Sequence, residues 1–239
     1  MQKCFKIKEK TIKQSINNFD KYASIYDELI YDDRNSIEEK ISSLKIKDIE
    51  DGTKTKSNWF PEIDADVFIS HSHEDVKLAK SLAVYINEET GLKSFIDSEI
   101  WGNYADLLRN IDNNYCKFPD KNLYNYELRN YSTSHVHMML NIALIEMIHK
   151  CNYFIFIETP NSLKDDELIY NGQIKKTNSP WIYSELMITK IIKTTIDRYK
   201  SAEHIKTFSK KNECEILYKV DTSHLEEISN LIEIKKYIS

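Results

Sequence analysis

The chain has 239 residues, 41% hydrophobic and 30% charged with both signs interspersed. That is enough apolar material for a packed core and too mixed a charge for a disordered polyelectrolyte. A formal net charge of −5 with no dense Lys/Arg block excludes a surface built to track phosphates, so nucleic acid is not an expected partner. The four cysteines, Cys4, Cys116, Cys151 and Cys214, form no CxxC motif and the start is polar. Both fit a reducing cytosol, and the most apolar run, Tyr153 to Ile157, is too short to cross a membrane.

Residues 9–48 read as helical. Ile12, Ile16, Phe19, Ala23, Tyr26 and Ile30 recur at alternating spacings of four and three and so share one helix face. A second helix is predicted over Asn35 to Leu44, with Ser36 as its N-cap. Such a pair cannot bury its stripe alone and is expected to dock on the main domain or on another copy of the chain. The stretch 50–64 is polar and carries Gly52 and Pro61, which marks a linker. The division expected is an N-terminal helical extension with its linker over 1–60 and the main domain over 61–239.

The main domain alternates strand and helix. Ala65 to Ser70 is a short apolar run suited to a buried parallel strand. Glu74 to Glu88 is the next helix, with Gly91 as its stop. Leu92 to Asp97 is a second strand, Asp106 to Asn113 a short helix and Ser134 to Lys150 a longer one. Asn152 to Glu158 is the third strand, Pro180 to Ile196 a helix, Cys214 to Val220 a fourth strand and Leu225 to Tyr237 a closing helix. The alternation predicts an α/β fold: a central parallel sheet with helices on both faces. Right-handed crossovers collect the carboxyl ends of the strands on one edge, where such sheets bind ligands. Residues 70–73, 97–104 and 159–185 are expected there. Two long polar segments, Asn113 to Thr133 and Ser162 to Ser179, are expected as walls of that edge.

Three motifs carry the chemistry. The first is Asp66-Val-Phe-Ile-Ser-His-Ser-His-Glu-Asp75, a strand running into a Ser/His turn. The second is Phe95-Ile-Asp97-Ser-Glu-Ile-Trp101-Gly102, a strand opening into a loop. The third is Ser179-Pro-Trp181-Ile-Tyr-Ser-Glu185, a helix start. Ser179 can cap that helix and Pro180 is preset for its first position, so Trp181 and Glu185, four apart, share a face. An indole beside a carboxylate suits a ribose bearing a flat cationic ring. The indole stacks on the ring, and the carboxylate stabilises positive charge as the glycosidic bond breaks. A pyridinium leaving group departs neutral, so no second carboxyl is needed to protonate it. Taken alone, Glu185 could equally be a solvated helix-face carboxylate and Trp181 plain core packing.

In this order the three motifs resemble the Toll/interleukin-1 receptor (TIR) domain family over roughly residues 64–200. The further segments SxxHVHMML and TPNS are similar to TIR proteins of bacterial anti-phage systems of the Thoeris type. The resemblance implies a flavodoxin-like three-layer fold with the N-terminal helical extension added. It implies an NAD glycohydrolase or ADP-ribosyl cyclase with Glu185 catalytic. Ser70, His71, Ser72, Asp97, Ser98, Trp101, Trp181 and Ser184 would bind the substrate. It also implies self-association through TIR–TIR contacts and a cytoplasmic signal read by a downstream effector. The product, ADP-ribose or a cyclic relative, stays open. So does whether the N-terminal helices drive or restrain assembly, and whether Trp101 meets substrate or only pins its loop. Ser72 is also placed to cap the helix that follows it. The family's fifth strand has no assignable place after the active-site helix. A non-catalytic interaction module and a nucleoside deoxyribosyltransferase-like enzyme are the rival readings.

Two further patterns bear on cofactors. The pairs His71/His73 and His135/His137 would share a side on a strand, yet no Cys or carboxylate set completes a tetrahedral site by spacing, and no metal is expected. The four glycines, at 52, 91, 102 and 172, make no GxGxxG or Walker loop, so NAD is expected as substrate and not as a bound redox cofactor.

Overall fold

The computed structural model describes residues 2–43, 51–102, 104–165, 175–196 and 217–238. Its elements begin with strand β1 (Lys3–Lys8), followed by helices α1 (Glu9–Ser15), α2 (Phe19–Leu29), α3 (Tyr31–Ser43) and α4 (Gly52–Trp59). Strand β2 (Val67–Ser70) leads through a 3-10 turn into α5 (Val76–Thr90), then β3 (Ser94–Phe95), α6 (Asp97–Ile100) and α7 (Tyr104–Ile111). A π-helical turn, Asp112–Cys116, precedes α8 (Tyr126–Lys150) and β4 (Tyr153–Glu158). Short strands β5 (Lys164–Asp165) and β6 (Lys175–Thr177) precede α9 (Pro180–Ile196). Strands β7 (Tyr218–Val220) and β8 (Glu226–Ile228), a 3-10 turn and α10 (Ile234–Tyr237) complete the order.

The core is a five-stranded, all-parallel sheet in the order β3-β2-β4-β1-β8. Its strands are covered on both faces, so they are apolar nearly throughout: every residue of β2 is buried, as are Phe154, Ile155, Phe156 and Ile157 of β4. The helices pack in two groups. One joins α1, α2, α5 and α10, and the other joins α4, α7, α8 and α9. From β2 the chain steps outward to β3 through α5, and from β3 it crosses back the other way to β4 through α8. Right-handed crossovers in opposite directions put α5 and α8 on opposite faces and leave a crevice beyond the carboxyl ends of β2 and β4. The short strands β5, β6 and β7 form a separate antiparallel sheet.

The amino-terminal segment differs from the expected extension. Lys3–Lys8 is a strand in the sheet interior, paired along its whole length with β4 and, at Phe5–Ile7, with β8. Phe5 and Ile7 are buried in the core. Lysines at 3, 6 and 8 make the segment look like a polar start, whereas the alternation of Phe5 and Ile7 with Lys6 and Lys8 is a strand period. The helical stripe from Ile12 to Ile30 is present but broken between Ser15 and Phe19, and α3 begins at Tyr31, so Ser36 lies inside it rather than capping it. The expected linker contains α4, capped by the Asp51 side chain, which accepts from the Lys54 N–H at 3.0 Å. The helices α2 to α4 wrap the β3 edge. Tyr26 Oη donates to the Ser94 carbonyl at 3.4 Å, and Lys93 pairs with Asp33 at 2.6 Å. An open sheet edge is thereby covered.

Three further expectations change. The polar stretch after 113 is a π-turn and the first two turns of α8, whose start is fixed by Asn125 accepting from the N–H groups of Glu127 and Leu128. The fourth predicted strand is represented by β7, which joins the small antiparallel sheet. The predicted closing helix instead begins with β8, parallel to β1. The sheet's remaining two strands, β1 in its interior and β8 at its edge, are therefore supplied by residues 3–8 and 226–228. Among the described residues, no helix is long and apolar enough to cross a membrane.

Candidate active site

The crevice at the sheet's carboxyl edge holds a cleft of about 370 Å³, within the usual range of ligand pockets. Two loops and one helix start meet there. The turn after β2 brings His71 and His73, and the segment after β3 brings Asp97, Ser98, Trp101 and Gly102. The start of α9 brings Ser179, Trp181 and Glu185. Tyr104 of α7 and Leu140 of α8 complete the wall.

Glu185 is held where α9 meets the end of β2. Pro180 opens the helix, and the Ser179 hydroxyl accepts from the Ile182 N–H at 3.3 Å, the cap expected from the sequence. Ile182 and Leu186 are buried beneath this first stretch of helix and hold its inner face on the core. Trp181 and Glu185 therefore stand on the side that faces the cleft. Glu185 is 4% exposed and accepts a short hydrogen bond from the hydroxyl of Ser70, itself buried at the last position of β2. Burial pushes the carboxyl of Glu185 well above the usual carboxylate range, and the nearby charge of Asp97 pushes the same way. The Ser70 hydrogen bond opposes them.

His71 is buried, and among the described residues neither of its ring nitrogens has a hydrogen-bond partner. Burial lowers its pKa, against the opposing pull of Asp97, which favours a neutral imidazole. The Ser98 hydroxyl is likewise buried without a partner. Unsatisfied polar atoms are rare in folded interiors, and these line the cleft, where a polar ligand or water can pair with them. The turns that carry this edge are cross-tied: Asp75 accepts from Thr159 Oγ1 at 2.5 Å and from Asn161 Nδ2 at 2.8 Å, joining the turn after β2 to that after β4.

Trp101 is an anchor as well as a wall. Its indole N–H donates to the Pro61 carbonyl at 2.8 Å, and its ring meets Phe95 edge-on at 4.8 Å and Phe60 at 5.7 Å. Gly102 next to it takes φ +67°, a left-handed backbone that lets the chain leave the anchor sharply. Lys80 bridges Asp27 of α2 at 2.8 Å and Glu99 of α6 at 2.6 Å, so the amino-terminal helices also brace this loop.

Seven of the nine site residues chosen from sequence fall into this arrangement: Glu185, His71, Asp97, Ser98, Trp101 and Trp181 line the cleft, and Ser70 touches it through Glu185. Ser184 does not. Its hydroxyl donates to Asn141 Oδ1 of α8 at 2.6 Å, because the residue just before Glu185 points about a quarter-turn round the helix. Ser72 does not line the cleft either. It stands at the N-cap position of the 3-10 turn without a side-chain cap bond, and its carbonyl accepts from the Asp75 N–H. Sequence reasoning missed Tyr104 and His137. With Trp181 they form an aromatic cluster of mutual edge-on contacts, 5.4 to 5.5 Å between ring centres. The signal was the pair His135/His137. Lying on a helix rather than a strand, these two diverge, His137 toward Trp181 and His135 toward Tyr131 at 4.3 Å.

A buried carboxyl, an aromatic wall and unpaired polar atoms in one crevice can hold a flat cationic ring and a sugar. Comparisons with family models, with curated proteins and with solved structures gave no match for this chain.

Proposed function

We propose that this chain is an NAD-cleaving enzyme of the TIR type, an NAD glycohydrolase or ADP-ribosyl cyclase working in bacterial anti-phage signalling. The single observation that carries the reading is Glu185. A carboxyl 4% exposed, bonded among the described residues only by a serine and opposed by a neighbouring acid, is expensive to keep unless a positive charge arrives beside it. The nicotinamide ring of NAD brings that charge.

In this reading the cationic ring lies against Trp181, and its ribose faces Glu185. Arrival of the cation offsets the charge of Asp97 and favours ionisation of Glu185. The bond from the ribose C1′ to the pyridinium nitrogen then breaks, its electron pair staying on nitrogen, and neutral nicotinamide leaves. Glu185 stabilises the positive charge left on the sugar. Water adds to C1′ and loses a proton to give ADP-ribose, or a nucleophile within the same molecule closes a cyclic product.

The test is direct. Purified protein mixed with NAD should release nicotinamide, Glu185→Gln should release none, and mass spectrometry should identify the companion product. Release by wild type and variant alike would remove Glu185 from the chemistry. No release by wild type in any assembly state would leave an interaction module.

A further inference from the structure

Helix α8 is apolar on two opposite faces. Val136, Leu140, Ala143, Leu144, Met147 and Ile148 are buried against the core. On the far side Leu128, Tyr131, His135, Met138, Ile142 and Ile145 follow one another at spacings of three and four, and all are exposed. Tyr131 is 67% exposed and Met138 58%. A helix apolar all round belongs between two layers, and among the described residues α8 has protein on one side only. Among the described residues, nine of the fifteen exposed large apolar side chains fall between Tyr115 and Ile145, so the apolar surface is concentrated here rather than scattered.

The three-four repeat is the a/d seam of a two-helix coiled coil, which a second copy of the same helix complements. The charges at its ends select the orientation. Glu127 lies at the amino end, His149 and Lys150 at the carboxyl end. Parallel pairing sets like on like and aligns the helix dipoles, whereas antiparallel pairing opposes the dipoles and brings the basic carboxyl end of one helix to within about a turn of Glu127 on the other, where the facing Glu146 is already paired with Lys56 of its own chain.

We propose that a second copy of this chain docks through its own α8, antiparallel, about a two-fold axis between His135 and Met138. The register that uses all six seam residues sets Leu128 against the partner's Ile145, Tyr131 against the partner's Ile142, and His135 against the partner's Met138. Leu128, Tyr131 and His135 also form one wall of a second cleft, about 470 Å³, between α8 and the π-turn. That cleft gives the partner's side chains a hole to enter. This surface is separate from the catalytic cleft, and the proposal does not depend on any activity there.

The experiment uses the full chain with Cys214→Ser, since Cys4, Cys116 and Cys151 are buried and do not compete for cross-linking. Leu128→Cys and Ile145→Cys are made separately. In the antiparallel dimer each new cysteine lies roughly 25 Å along the axis from its own equivalent, too far for a disulfide, while the two variants mixed bring the cysteines together. The expected result is a disulfide dimer from the mixture and none from either variant alone. Sedimentation should show a dimer for the parent chain and a monomer for Ile142→Glu, with unchanged far-UV circular dichroism. A monomeric parent across the dilution series, a dimer that survives Ile142→Glu, or cross-linking by either variant alone would each overturn the proposal.

Discussion

The hydroxyl of Ser70 donates to the carboxyl of Glu185, joining the last residue of β2 to a helix 115 positions later in the chain. This bond is the one contribution that favours the charged form of Glu185, against burial and Asp97. Its removal should therefore raise the pKa of Glu185. In Ser70→Ala, the acidic limb of kcat/KM for NAD cleavage should move to higher pH, because the hydrogen bond that favours the ionised carboxyl is gone. Ser70→Thr, which keeps the donor, should restore the profile. An unmoved limb would show that Ser70 only packs.

Glu185→Gln should stabilise the fold. The folded state holds the Glu185 proton more tightly than the unfolded chain does, so its contribution is fully present below about pH 4.5 and is lost as pH rises through the elevated value. Glutamine has no charge to bury and can still accept from Ser70. Thermal unfolding at pH 4 should be the same for both proteins, and by pH 8 the variant should melt higher, by about 2–4 °C for each kcal/mol gained. A variant that melts lower at pH 8 would contradict the buried, opposed carboxyl.

Trp181→Ala should weaken NAD binding more than turnover. The indole offers a face to a cation in a partly desolvated cleft, an interaction worth about 2 kcal/mol or roughly thirtyfold. Trp181→Phe should recover part of it. Steady-state KM and kcat, with a pre-steady-state check on binding, separate this from loss of the aromatic cluster, which would lower both.

Trp101 should prove more costly to lose than any residue that merely touches ligand. Trp101→Ala removes a 4% exposed ring from between Phe60 and Phe95, and about 3–5 kcal/mol is expected in urea denaturation. Trp101→Phe keeps most of the packing and gives up the bond to Pro61, for a smaller loss of about 1 kcal/mol.

Ile7→Ala should cost about 2–5 kcal/mol, as for any fully buried core position, and Ile7→Asp should prevent folding. Removal of residues 1–60 should yield insoluble protein rather than a trimmed domain, because β1 lies between β4 and β8. A folded truncated chain, by circular dichroism and cooperative unfolding, would refute this.

The sequence displayed the middle of the fold well. Gly91 stops α5 in the left-handed conformation expected of it, Ser179 and Pro180 start α9, and the apolar runs of β2 and β4 are buried strands. These features are local, and a few neighbouring residues determine them. Strands β1 and β8 were hidden because their signal is not local. Lys3–Lys8 and Glu226–Ile228 are short and charge-rich, and they become strands only by pairing with each other and with β4. The candidate site was legible where chemistry and spacing coincide, as at Trp181 and Glu185. It was illegible where contact depends on helix packing, as at Tyr104, His137 and Leu140.

The placement of β1 also dictates an order of events. Its two neighbours are β4, some 150 residues downstream, and β8, some 220 residues downstream. While the chain is being synthesised, the first strand waits some 150 residues for β4 and roughly 70 more for β8. The sheet thus closes as a late, long-range step, the kind that folds slowly and leaves sticky edges waiting. Ribosome-stalled fragments lacking β8 should be protease-sensitive throughout, and productive folding in the cell should lean on chaperones that bind extended apolar segments.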